Sequence, residues 1–324
     1  MRVLVTGAQG FIGTAVMRRL DDLGHRVTGY DRRTDPADDV VDLRRLRAAV
    51  RGHDAIIHLA AKVGLGVDLS DLDDYSRNND LGTAVLLRAA AEESVGRVVL
   101  ASSMVVYGEG RASCPRHGLL PVPARDAADL ARGRFEPRCP RCGSDLLPEL
   151  VPENAPLDPR NVYAATKVHL EQLAGIWARE SGGVAIALRY HNVYGPGLPR
   201  DTPYAGVAAI FRSALLAGTP PTVFEDGAQR RDFIHVDDVA AATVAALETQ
   251  PEQRFTALNV GSGTITTIGE VAARMAMIMD GPQPVITGGY RLGDVRHITA
   301  DSSAARRLLN WTPRFELTEG LQSL

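Results

Sequence analysis

No uncharged apolar run of about 18 residues occurs in this 324-residue chain, so nothing in it reads as a membrane-spanning helix. The N-terminus also lacks the apolar stretch ending in small residues that marks a signal peptide. Met1-Arg-Val-Leu-Val5 runs straight into an apolar strand, which predicts a cytoplasmic location. A basic excess is missing: 36 Lys and Arg against 39 Asp and Glu leave a formal charge of −3, with a pI near 6.3. No basic face is therefore expected to neutralise a nucleic-acid backbone. Cysteine is scarce, with three residues, all between Cys114 and Cys142, which does not resemble a secreted disulfide framework. There is no internal repeat. What is present is 45% hydrophobic content over a length that accommodates one large α/β domain and a smaller companion.

Short β-rich runs at Arg2–Thr6, Arg26–Tyr30, Asp54–Leu59 and Arg97–Ala101 alternate with helical or loop stretches. That alternation predicts an α/β fold built on a doubly wound parallel sheet. From about Gly108 to Pro159 the rhythm breaks in a stretch rich in Pro, Arg and Gly that holds every cysteine and reads as a surface insertion. A helix over Asn161–Ser181 and a strand over Val184–Tyr190 then resume the pattern. After Gly195 the order loosens at Pro196, Pro199, Pro203, Pro220 and Pro221. The expected division is a dinucleotide-binding domain over 1–190 carrying the insertion, and a smaller C-terminal α/β substrate domain over 191–324. The two interleave, with about 235–257 returning to the first.

The first strand leads into Thr6-Gly-Ala-Gln-Gly-Phe-Ile-Gly13, with Gly7, Gly10 and Gly13 where a tight turn enters a helix. Missing side chains there let backbone N–H groups reach a pyrophosphate at the positive helix end, the Rossmann arrangement. Phe11 and Ile12 lie inside that turn and count with it. Asp31 ends the second strand 18 residues beyond Gly13, where a carboxylate bonds both ribose hydroxyls and repels a 2′-phosphate. This favours NAD, although Arg32 and Arg33 follow at once and suit the phosphate of NADP. Asp42 and Leu43 are placed to meet the adenine, and Leu59, Ala60, Ala61 and Lys62 to end the third strand beside the cofactor; a loop carboxylate and an ordinary strand end remain open as readings. Tyr190, at the end of its strand, is grouped with the cofactor contacts.

Tyr163 and Lys167 lie four apart in Asn161-Val-Tyr-Ala-Ala-Thr-Lys167, so on a helix the ammonium and the phenol share one face. At about 4 Å and an effective dielectric of roughly 20, that charge favours phenolate by up to about 4 kcal/mol, against which desolvation works.

These segments, with Asn78-Asn-Asp-Leu-Gly-Thr83, Ala101-Ser-Ser-Met-Val-Val-Tyr-Gly108, Leu188-Arg-Tyr-His-Asn-Val-Tyr-Gly195 and Arg231-Asp-Phe-Ile-His-Val236, resemble the extended short-chain dehydrogenase/reductase family. The resemblance is to its nucleotide-sugar epimerases and dehydratases, the UDP-galactose 4-epimerases included, and covers nearly the whole chain outside the insertion. It implies a triad in which Tyr163 is general base, Ser103 positions and relays, and Lys167 lowers the phenol pKa and binds nicotinamide ribose. It places Asn79 by the cofactor, and Asn192, Arg231, Arg291 and Asp294 around a nucleoside diphosphate, UDP- or dTDP-linked. Phe224 either flanks the base or is a buried strand aromatic. Dehydratases of the family carry Asp-Glu after the Ser or Thr. Met104 and Val105 stand there and cannot transfer a proton, so 4,6-dehydration is disfavoured and C4 epimerisation is expected, with a dehydratase, decarboxylase or reductase of the same family as alternatives and a non-catalytic NAD-sensing protein as the least expected, since Ser103, Tyr163 and Lys167 are all present. The resemblance also implies a homodimer through the helices at about 72–93 and 161–181.

In the insertion, Cys114-Pro-Arg-His117 and Cys139-Pro-Arg-Cys142 are two ligand pairs separated by 21 residues. Three thiolates and an imidazole complete a tetrahedral structural Zn site with no open position; unliganded thiols or a redox pair are the alternative. A similar insertion occurs in some dTDP-L-rhamnose 4-epimerases.

Overall fold

Val3, Leu4 and Val5 are wholly buried at the centre of β1 (Arg2–Thr6), the pattern of a strand covered on both faces. The structure is a computed structural model that describes residues 1–64, 69–199 and 206–324; Pro203 lies outside them. From β1 the chain passes through α1 (Phe11–Asp22), β2 (Arg26–Tyr30), α2 (Leu43–Val50) and β3 (Ala55–His58). A helical stretch follows: α3 (Leu72–Tyr75), a π-helical turn over Ser76–Leu81 and α4 (Gly82–Glu92). β4 (Arg97–Ser103) then ends in a 3-10 turn over Met104–Tyr107. The strand bounds read from the sequence agree with these to within about two residues.

The insertion folds as β5 (Arg111–Cys114), β6 (Gly118–Leu120), α5 (Ala127–Ala131) and β7 (Leu147–Glu149), with the strands in the order β6-β5-β7. Beyond it, α6 (Val162–Ser181) is capped by Asn161, whose side chain accepts from Ala164 N at 2.8 Å. The chain continues through β8 (Val184–Tyr190), β9 (Asn192–Tyr194), α7 (Val207–Leu216), β10 (Thr222–Val223), β11 (Arg230–His235) and α8 (Val236–Glu248). It closes with β12 (Phe255–Val260), β13 (Ile265–Thr267), α9 (Ile268–Ile278), β14 (Val285–Ile286), β15 (His297–Ile298), α10 (Ser303–Leu309) and α11 (Leu317–Gln322).

Six strands form one parallel sheet in the order β12-β8-β4-β3-β1-β2. One face packs Val5, Val16, Leu20, Ile57, Val99 and Ile186 with α8 residues such as Val239. The other packs Leu4, Ile56, Leu86, Leu100, Leu170 and Trp177. Each such aliphatic side chain contributes about 1.5–3 kcal/mol by leaving water. A separate core of Phe211, Val223, Phe233, Val271 and Met275 lies beneath the β11-centred sheet, in which β9, β13 and β15 all pair with β11. The register brings Thr6 beside Tyr30 and His58, and Ser103 beside Tyr190, so the carboxyl ends of the strands form one edge. Ligands of open α/β sheets bind at that edge. No helix among the described residues is long and apolar enough to cross a membrane.

Candidate active site

The turn from β1 into α1 presses against the end of β3. A Cβ on Gly7, at φ +71°, would meet Ala60 N at 2.6 Å, and one on Gly13 would meet the Gly7 carbonyl at 2.1 Å. Gly10 caps α1 with extended backbone and no side-chain cap, leaving the first-turn N–H groups open to an anion. Phe11 and Ile12 turn inward onto the core. Beside the turn is a cavity of about 290 Å³ lined by Gly7, Gly10, Asp31, Arg32, Leu59, Ala60, Ala61 and Asn78 among others. Asp31 accepts from Gln9 N at 2.9 Å and Arg33 N at 2.8 Å, which fixes its carboxylate at the cavity wall. Arg32 donates to Asn78 Oδ1 at 3.0 Å, and Arg33 to the Gln9 carbonyl at 2.9 Å. The glycine cradle and the anchored carboxylate fit an adenine dinucleotide.

Asp42 and Leu43 stand outside that lining. Asp42 caps α2 by accepting from Arg45 N at 3.0 Å, Leu43 packs on the sheet, and Asp38 and Val40 line the cavity instead. Tyr190 faces α8, its hydroxyl 2.7 Å from Thr243 Oγ1. Lys62 Nζ is held by Asp71 at 2.9 Å and Asp74 at 2.6 Å. Asn79 ties this edge to α6: it accepts from Lys62 N at 2.8 Å and donates to the Lys62 carbonyl and Thr166 Oγ1, both at 3.0 Å.

Ser103 ends β4 and hydrogen-bonds the Tyr163 hydroxyl. Lys167 lies one turn along α6, its Nζ 5.7 Å from the Tyr163 ring centroid. Its Nζ also donates to the Ala101 carbonyl at 2.7 Å. Burial dominates: it pushes Tyr163 up to about 12, with the Ser103 hydrogen bond working against the rise, and pulls Lys167 down to about 8 against the pull of Glu171. Glu171 is itself paired with Arg189 at 2.6 Å and accepts from Ser102 at 2.5 Å, so the triad rests on a buried ionic layer.

Around the strand ends from the other side come the residues of the β11-centred sheet. Arg231 forms no ion pair among the described residues; it donates to the carbonyls of Arg230 (2.9 Å), Arg296 (3.0 Å) and Val295 (2.6 Å). Burial lowers it to about 10, with Asp294 and Glu225 nearby resisting. Burial raises the Asp294 carboxyl, against Arg291 and Arg231. The Arg291 guanidinium lies 5.0 Å over the Phe224 ring. Among the described residues, neither ring nitrogen of His191, which is 4% exposed, has a hydrogen-bond partner, and neither does Asn192 Oδ1. Unpaired polar atoms at this depth are costly and mark a surface that a polar ligand completes.

Cys114, His117, Cys139 and Cys142 converge, with their ligand atoms within 4.8 Å of one another. The Cys114–Cys142 sulfurs are 3.6 Å apart, and His117 Nδ1 is 3.5 Å from Cys114 Sγ and 3.4 Å from Cys139 Sγ. A tetrahedron with Zn–S of about 2.3 Å and Zn–N of about 2.0 Å has edges of about 3.5–3.8 Å, close to these three distances, so the donor set suits Zn. Hydrogen bonding with the Ser144 side chain and with its backbone N–H lowers the Cys142 thiol to about 6, toward the thiolate a metal needs.

Residues 3–127 and 144–261 match the NAD dependent epimerase/dehydratase family, the unmatched gap lying within the insertion. The chain is 32% identical to a dTDP-L-rhamnose 4-epimerase of Burkholderia thailandensis, over 100% of this chain and 93% of that protein. It is also 32% identical to a UDP-glucose 4-epimerase of Mycolicibacterium smegmatis, over 99% and 96%. Among solved structures it is similar to MoeE5 in complex with UDP-glucuronic acid and NAD, with a TM-score of 0.79 and 30% identity, over 100% and 97% of the two chains. It is similar as well to the UDP-glucose 4-epimerase of Thermotoga maritima with UDP-glucose, with a TM-score of 0.81 and 26% identity, over 99% and 96%.

Proposed function

The chain belongs to the NAD dependent epimerase/dehydratase family, and from that premise we propose that it inverts C4 of a UDP- or dTDP-linked sugar through a transient 4-keto sugar. The observation that carries the reading is the buried meeting of Ser103, Tyr163 and Lys167 at the strand edge beside the glycine cradle. NAD, when bound, supplies the hydride acceptor and donor. Gly7, Gly10 and Gly13 admit its pyrophosphate, and Asp31 receives the adenosine ribose. Tyr163 takes the proton of the C4 hydroxyl and later returns one to the same oxygen. Ser103 hydrogen-bonds that oxygen and relays its proton, and Lys167 contributes the positive charge that favours phenolate. Met104 and Val105 offer no acid or base to the neighbouring carbons, so the keto sugar keeps its C6 oxygen. Arg231, Arg291, Asn192 and Asp294 hold the diphosphate and nucleoside ribose, and Phe224 lies along the base.

Incubation with UDP- and dTDP-sugars, followed by NMR of the sugar ring, should reveal a C4 epimer. Tyr163→Phe should lower turnover by on the order of 10²–10⁴-fold. Turnover by that variant at the wild-type rate would falsify the assignment of the base.

We further propose that Cys114, His117, Cys139 and Cys142 hold a structural Zn, which elemental analysis of protein purified without chelator tests; metal-free protein would remove the claim. The domain division at about residue 190, and a homodimer through the helices at about 72–93 and 161–181, belong to the same reading. The exposure of Leu81 (49%) and Ile176 (48%) supports the dimer, and sedimentation as a monomer would count against it.

A further inference from the structure

The insertion does not lie loose on the surface. Two of its side chains reach toward the sheet around β11 and join an ionic lattice whose centre, Glu225 and Arg296, is buried. Arg125, 5% exposed, donates to Glu225 Oε1 at 2.7 Å, to the Asp294 carbonyl at 2.5 Å and to the Phe135 carbonyl at 3.3 Å. Glu136 accepts from Arg296 Nε at 2.9 Å and Nη2 at 2.6 Å, and its other oxygen is 2.8 Å from His297 Nε2. Arg296, 1% exposed, also grips Glu225 at 2.7 Å and Asp226 at 2.8 and 2.9 Å. Every anion in this lattice therefore meets a guanidinium, and the guanidiniums come from both sides of the seam.

Glu225 is the centre of it. It is 2% exposed, carries both guanidiniums and sits at φ +54°, a left-handed conformation that a glutamate adopts only when its surroundings force it. Its immediate neighbour is Phe224, whose carbonyl accepts from Gln229 Nε2 at 3.1 Å and whose ring lies under Arg291. Arg125 thus holds both segments of the nucleotide end at once, the Phe224–Glu225 turn by its side chain and Asp294 by its carbonyl. Glu136 is delivered by the metal-type knuckle. It lies three residues before Cys139, in a hairpin closed by Leu146 N to the Pro137 carbonyl and Cys139 N to the Ser144 carbonyl, both at 2.8 Å.

We propose that Arg125 and Glu136 of the insertion are positioning residues for the nucleoside diphosphate, fixing Phe224 and Asp294, Arg125 from the edge of the family match and Glu136 from the gap within it. The inference rests on the assignment of Phe224 and Asp294 to the nucleotide end of the substrate. Hydrogen bonds to charged groups of this kind are worth on the order of a tenfold to a hundredfold change in an equilibrium constant. Among the described residues, the cofactor cradle shares no hydrogen bond with the lattice.

The test is calorimetric binding of UDP, of dTDP and of NAD to wild type, Arg125→Ala, Arg125→Lys and Glu136→Gln, with steady-state kinetics on whichever sugar turns over. Arg125→Ala should weaken the diphosphate that wild type binds by about tenfold or more and raise KM in step. NAD affinity and kcat should stay within about threefold. Arg125→Lys, which keeps a charge for Glu225, should recover part of the loss. Glu136→Gln, which keeps the side-chain volume, should show the same split if Arg125→Ala does not fold. Unchanged diphosphate binding in the folded variants, or NAD affinity and kcat falling together with it, overturns the proposal. Failure of wild type to bind either diphosphate overturns the nucleotide-sugar reading instead, so the two failures are told apart.

Discussion

Lys167 is 3% exposed with a carbonyl as its hydrogen-bond partner, and its pKa falls from 10.5 to about 8. Because the folded pKa lies below the unfolded one, the unfolded chain holds a proton between about pH 8 and 10.5 that the folded chain has released. Stability therefore rises with pH across that window, by at most about 3 kcal/mol. Urea midpoints of wild type and Lys167→Met should converge as pH rises from 8 to 10.5, with the variant's own curve lacking the rise; parallel curves would remove the claim. Asp31 makes a second case at this scale, its carboxylate fixed by two backbone N–H groups at the cavity wall. Asp31→Ala should shift the NADP-to-NAD affinity ratio by on the order of tenfold toward NADP, read by titration with both reduced cofactors. Residues whose type is dictated by local chemistry were legible in this way. A position with no room for Cβ must be glycine, and Gly7 and Gly13 stand out on the page. Asp38 and Val40 do not, because the loop between β2 and α2 has neither periodicity nor a motif, and Asp42 three residues before Arg45 looks the same whether it caps a helix or meets a ligand.

At the scale of elements, the β1–α1 turn is the tightest contact of the cofactor side. Gly13→Ala would force a Cβ to 2.1 Å from the Gly7 carbonyl, with Ala8 backbone at 3.0 Å as well. The turn must open, so NAD binding should fall by at least about tenfold while far-UV circular dichroism changes little. Wild-type NAD affinity in that variant would show that the turn adapts. Central strands such as β1 and β4 were readable because burial on both faces demands a continuous run of Val, Leu and Ala. The π-helical turn Ser76–Leu81, which brings Asn78 to Arg32 and Asn79 to Lys62, was not. It widens one turn of an otherwise ordinary helix and leaves no mark on hydrophobic spacing. The three strands of the insertion were equally hidden: β6 and β7 are three residues long, too short to show alternation, and they are held by convergence of distant cysteines rather than by a pattern of their own.

Across the whole molecule, two large cores hold the parallel sheet and a third lies under the β11-centred sheet, while the insertion buries only Ala112, Cys114, Val122, Cys139 and Leu146 together. So small a core does not order some forty residues by apolar burial alone, and the Zn proposed at the Cys/His cluster would add to what Arg125 and Glu136 contribute by their ion pairs. Chelation should therefore raise amide hydrogen exchange across 111–149 while β1, β3 and β4 keep their protection, followed by mass spectrometry. Uniform loss of protection would mean that the insertion is an integral part of the main fold. A return to the first domain at about 235–257 was an expectation of the sequence, but no local signal records that β12, which follows α8, pairs beside β8 at the sheet edge.

Two of the 36 basic residues are lysine, Lys62 and Lys167, and both stand at the strand edge where cofactor and sugar meet. Apart from the Met1 amino group, an acylating reagent finds no other amine on the molecule. Because Lys167 is 3% exposed and Lys62 is held by Asp71 and Asp74, a mass increment on either reports an opening of that edge, with no engineered probe.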